Sequence, residues 1–303
     1  MRRPVRALVA AVAALLVSGC SQQAPPQGPQ VVVTTNILGD VVGQVLGGQA
    51  TVTTLMGPGA DPHSFDVSAQ QAALMGRADL LVSSGLGLEE GLARHLERAA
   101  AAGAPLLVAG EMVDVVPYSA GDAEGAPDPH FWTDPAAMLE VVNAIEAAAG
   151  RIEGIDAGLL AASASAYRDQ LTELDTEMTT AFAALPRERR ALVTNHHVFG
   201  YLAKRFDFRL IGAVIPGGTT LAAPSAADLR QLSEAITGAG VPTIFAESSQ
   251  PDRLVQALAK EAGVDVQVSE LFTESLTGPG GGAPTYLDMM RTNTQRIVLG
   301  LSP

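Results

Sequence analysis

Apolar residues in this chain gather in short unbroken runs. Between the runs lie stretches in which apolar positions return every three to four residues. That alternation of buried strands with amphipathic helices predicts an α/β fold. Runs at Val31–Thr35, Thr51–Met56, Asp79–Ser84 and Pro105–Ala109 predict four strands. Helical patterns cover Ile37–Leu46, Ser68–Met75 and Glu89–Ala102, and another helix starts at Asp134, a good N-cap, and runs to about Ile152. The rhythm then returns. Strands are expected at Ala191–Asn195, Arg209–Val214, Thr243–Glu247 and Val264–Val268, and helices around Val198–Arg205, Ala226–Thr237, Pro251–Ala262 and Tyr286–Leu299.

Ala157–Leu185 breaks the rhythm. It holds no strand pattern and, after its first turn, no Gly or Pro, while Tyr167, Leu171, Leu174, Met178 and Phe182 form an apolar helical stripe that Pro186 ends. A helix of about 29 residues would be roughly 43 Å long. The expected organisation is an N-terminal lobe over 31–156, a linking helix over 157–186 and a C-terminal lobe over 187–303. The pattern alone also admits a long core helix of one domain.

The first twenty residues stand apart. Arg2, Arg3 and Arg6 precede an apolar run from Ala7 to Val17, too short to span a bilayer but suited to a signal peptide over 1–19. Val17-Ser18-Gly19-Cys20 resembles the bacterial lipobox, in which the cysteine is lipidated and becomes the mature N-terminus. Residues 20–30, rich in Pro and Gln, read as a flexible lipidated tether. The expected location is the outer face of the cytoplasmic membrane, or the periplasm.

Composition narrows the chemistry. With 303 residues, 47% hydrophobic and 17% charged, the chain has the material for about two globular domains and is not of disordered type. The formal charge is −13, and loss of residues 1–19 with their three arginines lowers it to −16. Such a surface repels phosphate backbones, so no nucleic-acid partner is expected. The single cysteine excludes a disulfide framework and a cysteine-based zinc finger. No P-loop and no strand-linked GxGxxG occurs. Metal or acid–base chemistry must therefore draw on five histidines and the carboxylates.

His63 lies in the Gly/Pro loop after the second strand, His130 just before the Asp134 helix, and His196 and His197 follow the strand at Ala191. Loops at the carboxyl ends of strands form the ligand crevice of α/β sheets. Two such crevices facing one another would bring His63 and His130 toward His196. His95 belongs to a charged helix and reads as surface.

These motifs resemble the metal-binding receptors of bacterial ABC importers for zinc and manganese. The resemblance rests on Thr34-Thr35-Asn36-Ile37-Leu38-Gly39-Asp40, Gly59-Ala60-Asp61-Pro62-His63, Ala78-Asp79-Leu80, Gly85-Leu86-Gly87-Leu88-Glu89, Pro129-His130-Phe131-Trp132-Thr133-Asp134-Pro135, Thr194-Asn195-His196-His197-Val198-Phe199-Gly200-Tyr201, Ile244-Phe245-Ala246-Glu247 and Tyr286-Leu287-Asp288-Met289-Met290-Arg291-Thr292-Asn293, in order from about residue 31 to 300. It implies two Rossmann-like lobes with parallel sheets joined by one long helix, with a metal site in the cleft between them. It also implies the ligands His63, His130 and His196, and a fourth carboxylate. The family has Asp in a Thr-Asp-Ser setting there, and this chain has Thr273-Glu274-Ser275. Registry with Phe199-Gly200-Tyr201 assigns the third ligand to His196 and leaves His197 to the first turn of the following helix or to the ligands' surroundings.

The resemblance further implies a monomeric receptor, not an enzyme, that serves an ABC permease and its ATPase. Three imidazoles and one carboxylate suit Zn2+, whereas Mn2+ prefers more oxygen. Manganese or iron cargo, a secreted zinc hydrolase with Glu274 as base, and an adhesin or zinc chaperone remain open. Zinc receptors often carry a His-rich loop before the second motif. Here Glu111–Asp128 has no His and reads as a solvated acidic loop. The Thr277–Pro284 loop, rich in Gly and Pro, is expected to move on metal release. The lipobox reading predicts that Cys20→Ser moves the protein from the membrane fraction to the soluble fraction, as measured by fractionation and immunoblotting.

Overall fold

Strands buried on both faces read as near-continuous apolar runs, and the central strands here are apolar except near their ends. In the computed structural model, β1 (Gln30–Val33), β2 (Thr51–Thr54), β3 (Leu80–Ser83) and β4 (Leu106–Val108) form an all-parallel sheet in the order β2-β1-β3-β4. A second parallel sheet repeats that wiring with β5 (Ala191–Thr194), β6 (Arg209–Ala213), β7 (Thr243–Glu247) and β8 (Gln267–Leu271) in the order β6-β5-β7-β8. The structure describes residues 28–302 except 120, 122, 216, 249–254, 257, 259 and 261–266. The expected signal segment, Cys20, most of the tether and most of the helix at Pro251–Ala262 lie outside the described residues.

The helices are α1 (Asn36–Leu46), α2 (Ala69–Met75), α3 (Ala93–Ala101), α4 (Pro135–Ala149), α5 (Ala157–Ala183), α6 (Gly200–Phe206), α7 (Ala226–Ala239) and α8 (Tyr286–Leu301). Side-chain caps set the starts of all of these but α3 and α6. Thr35, Ser68, Asp134, Asp156, Ser225 and Thr285 each accept a first-turn N–H, and Pro135 occupies the first position of α4.

Two boundaries differ from the pattern. β8 continues to Leu271, past the expected end at Val268. It pairs with β7 on one side only, so its Ser269 and Glu270 break the apolar run without breaking the ladder. Helix α6 begins at Gly200, not Val198, so His197 stands in the preceding loop instead of a first helical turn.

Helix α5 packs against helices of both lobes, α1 and α4 of one and α6 and α8 of the other. Leu160, Ala164, Tyr167, Leu171, Leu174, Met178 and Phe182 form its buried stripe. They join one core cluster with Val33 and Val82 of the first sheet, Leu192 and Phe245 of the second, and Met289 and Ile297 of α8. Phe182 also packs edge-on against Phe206 and Phe208, with ring centroids 5.2 and 5.0 Å away. The opposite sheet faces have separate small cores under α2 and α3 and under α7.

Because one core serves both sheets, the lobes should unfold together. Leu171→Ala, at a fully buried site, should cost about 2–5 kcal/mol. Urea unfolding monitored by Trp132 fluorescence and by far-UV circular dichroism should give coincident curves, shifted together by the substitution.

Candidate metal centre

Two loops of the N-terminal lobe carry the same tripeptide, Asp-Pro-His, and fold alike. Asp61 Oδ1 accepts the N–H of His63 at 2.9 Å, and Asp128 Oδ1 accepts the N–H of His130 at 2.9 Å. Such Asx turns fix the backbone of each histidine two residues on. The second oxygen of Asp61 accepts from Thr220 Oγ1 at 2.6 Å. Asp128 instead turns to its own histidine, with Oδ1 2.7 Å from His130 Nδ1.

His196 leaves the end of β5 at the point where strand order reverses in the second sheet, between β5 and β7. Open α/β sheets bind ligands at such points. Its Nδ1 lies 2.9 Å from Glu247 Oε2 at the end of β7, and Asn195 Nδ2 donates to the same oxygen at 2.9 Å. Glu274 follows β8, and its neighbours are braced by the other lobe. Trp132 Nε1 donates to Thr273 O at 2.8 Å. Asn36 Nδ2 donates to Ser275 Oγ at 2.7 Å, and Asn36 Oδ1 accepts from Leu276 N at 2.9 Å. Gly59 N donates to Ser275 Oγ at 2.9 Å, from a backbone with φ of +75° that favours glycine.

These supports bring His63, His130, His196 and Glu274 together. One donor atom from each lies within 4.8 Å of the others. Glu274 Oε1 is 2.9 Å from His196 Nε2, 3.1 Å from His130 Nε2 and 3.8 Å from His63 Nε2. The four residues are 0–4% exposed. Both ring nitrogens of His63 and Oε2 of Glu274 are buried without a hydrogen-bond partner. Native proteins rarely leave such atoms unpaired, and the four donors could together hold a metal ion. His197 is half-buried and outside this group, with its ring 6.4 Å from that of Tyr118.

The electrostatics follow from burial opposed by charge. Burial lowers the pKa of His130, but the Glu274 and Asp128 carboxylates outweigh it and lift the ring to about 9. Burial likewise opposes charge on His196, yet Glu247 and Glu274 raise it to about 10. Glu274 is pushed up by burial and pulled further down by His130 and the imidazole hydrogen bonds, ending well below the usual carboxylate range. Burial and the neighbouring His196 charge lower His197.

Asp128 corrects the reading of Glu111–Asp128 as a solvated loop, since it is buried against His130. The signal that could have found it is the repeated Asp-Pro-His. Glu247, Asn36 and Trp132 were visible only as parts of motifs, with no role attached. The Thr277–Pro284 loop is closed at its base, where Thr277 N donates to Ala283 O at 2.9 Å and Ala283 N to Thr277 Oγ1 at 3.1 Å.

Two parallel-sheet lobes on one long helix, with a buried imidazole–carboxylate cluster where their strand ends meet, define a metal-binding solute receptor of the ABC-importer class. The chain belongs to the family described as zinc-uptake complex component A, periplasmic, whose profile matches residues 31–300. It is 31% identical over 288 residues to the zinc-binding protein TroA of Treponema pallidum, covering 94% of this chain and 92% of that one. The solved structure of that periplasmic protein superposes with a TM-score of 0.84 over 91% of this chain and 100% of its own. The manganese-binding lipoprotein MntA of Halalkalibacterium halodurans is 25% identical over 307 residues, covering 100% of both chains. The manganese ABC transporter substrate-binding lipoprotein PsaA of Streptococcus pneumoniae is 25% identical over 297 residues, covering 94% of this chain and 92% of that one.

The raised imidazoles predict the pH behaviour of the metal-free protein. Their folded pKa values exceed the free value of about 6.5, so their stabilising contribution is complete below that pH and is lost as pH rises through 9 and 10. Two histidine ring resonances should titrate near those values by NMR in the presence of chelator. The melting temperature should fall between pH 7 and 10, and by less in Glu274→Gln.

Proposed function

We propose that this chain captures one zinc ion between His63, His130, His196 and Glu274 and delivers it to an ABC permease with its ATPase. In this reading Cys20 anchors the mature chain outside the cytoplasmic membrane through residues 20–30. The lobes are residues 31–156 and 187–303, residues 157–186 link them, and the receptor acts as a monomer. The lipoprotein names of the manganese-binding relatives support the anchor.

The observation that carries the proposal is the buried four-donor cluster. Ligands 2.0–2.1 Å from a tetrahedral zinc stand about 3.3 Å apart. The distances from Glu274 Oε1 to the three Nε2 atoms, 2.9 to 3.8 Å, bracket that edge. Asp128 and Glu247 lie behind two of the imidazoles, which leaves Nε2 for the ion and strengthens it as a donor. Three nitrogens and one carboxylate favour zinc over manganese, and the name of the TroA relative agrees.

Charge explains why the cluster tolerates burial. Without an ion, protons on His130 and His196 offset the carboxylates. A divalent cation that displaces both protons leaves the local charge unchanged. A pocket built for such an exchange binds and releases. The hydrolase alternative would keep Glu274 out of the coordination sphere as a base.

Calorimetric titration of the metal-free protein should give one zinc per chain and release of about two protons per ion at pH 8, read from buffers of different ionisation enthalpy. Glu274→Gln and His196→Ala should each weaken zinc binding more than about 100-fold, beyond the usual cost of losing an outer partner, while His197→Ala should change it little. Near wild-type affinity in Glu274→Gln, or a peptidase or esterase activity lost in that variant, would overturn the receptor reading.

A further inference from the structure

The metal centre is bordered by a segment that belongs to the opposite lobe from two of its histidines. After β6 the chain runs through Gly217-Gly218-Thr219-Thr220-Leu221 before α7. Two side chains of the N-terminal lobe hold this segment. Tyr118 Oη donates to Gly218 O at 2.9 Å, and Asp61 Oδ2 accepts from Thr220 Oγ1 at 2.6 Å.

Both contacts lead directly to the donor cluster. The other oxygen of Asp61 holds the backbone of His63. Tyr118 Oη also stands 3.5 Å from His130 Nδ1, and its ring packs edge-on to His130 at 6.2 Å. Gly218 has no side chain at the Tyr118 contact, and a Cβ there would come within 2.8 Å of the ring. Tyr118 is itself buried, while Leu221 at the far end of the segment is 61% exposed. The segment thus has one side against the cluster's supports and an end in solvent.

The Glu274 side of the site is built differently. Thr273, Ser275 and Leu276 are stitched to the N-terminal lobe by Trp132, Asn36 and Gly59, through a buried network that includes backbone groups at both partners. Among the described residues, 217–221 are held to the N-terminal lobe through two side-chain hydroxyls, those of Tyr118 and Thr220. An opening that breaks two such bonds needs less rearrangement than one that unpicks the Glu274 network.

We propose that residues 217–221 form a strap across the metal centre and that rupture of the Tyr118–Gly218 and Asp61–Thr220 hydrogen bonds sets the rate at which the ion enters and leaves. The inference rests on the metal-receptor reading and adds the route of exchange. Neither hydroxyl is among the four proposed ligands, so loosening the strap speeds entry and exit together and leaves the equilibrium constant nearly unchanged.

The test uses the zinc-loaded mature chain, with zinc release to an excess of chromogenic chelator and zinc entry both followed by stopped flow. Tyr118→Phe and Thr220→Val should each accelerate release by about three- to ten-fold, the range set by the net strength of one hydrogen bond. The double variant should multiply these effects, and Gly218→Ala, which keeps both hydroxyls but crowds Tyr118, should act in the same direction. Entry should accelerate in parallel, with Kd within about three-fold of wild type. Release rates within two-fold of wild type in all four variants would overturn the strap. So would weaker affinity with entry unchanged, which would mark a structural role. A wild-type chain that takes up no zinc would instead overturn the metal-receptor reading on which the strap depends.

Discussion

Four ionisable side chains converge on one water-excluded point, and the cost of burying them shapes everything around it. A carboxylate among three imidazoles is tolerable in a dry interior only if charge and hydrogen bonding are compensated. Buried ion pairs of this kind contribute little net stability, so the cluster costs the fold more than it returns unless its charges are closely compensated. Asp128 and Glu247 complete the compensation on one side. Asn36, Trp132 and Gly59 hold the Glu274 segment on the other. Glu247 comes from the end of a strand and Asn36 from the start of a helix, while Asp128, Trp132 and Gly59 stand in loops or a short turn.

Rigidity at the site depends on the floor beneath it. Helix α5 buries one face against helices of both lobes at once, so the lobes share a hydrophobic core in addition to facing each other across a cleft. Arg205 Nη2 donates to Asp175 Oδ2 at 2.6 Å, and Arg291 Nε donates to Glu177 Oε2 at 2.7 Å, which pins α6 and α8 to the same helix. Rotating one lobe on the other would expose that core. Movement near the cluster is therefore left to local segments at the rim.

Much of this was legible in the chain. The central strands were plain because parallel strands covered on both faces read as near-continuous apolar runs, and the long helix because its stripe is regular and ends at Pro186. Edge strands were harder: β8 carries Ser269 and Glu270, and its extent is set by pairing with β7, which hydropathy does not register. His63, His130 and His196 came from loop placement and family resemblance together, and Glu274 from the resemblance alone. Their partners were less visible because a buried carboxylate looks the same in sequence as a solvated one. Asp128 sat among acidic residues and was read with them, although it repeats the Asp-Pro-His setting of Asp61. Glu247 became meaningful only when β5 and β7 were seen side by side.

The two sheets have the same strand order, yet they do different work at equivalent places. The first residues beyond the central strand are Thr34-Thr35-Asn36 in one lobe and Asn195-His196-His197 in the other. From this stretch the C-terminal lobe offers the His196 imidazole to the centre, while the N-terminal lobe offers the Asn36 amide, which clamps the segment bearing Glu274. The halves are alike in wiring but not interchangeable. A chimera with two C-terminal halves would duplicate His196 and Glu274 and lack the clamp and both Asp-Pro-His turns. One with two N-terminal halves would have clamps with nothing to hold. The centre belongs to the pairing of unlike halves, so neither can be replaced by a copy of the other.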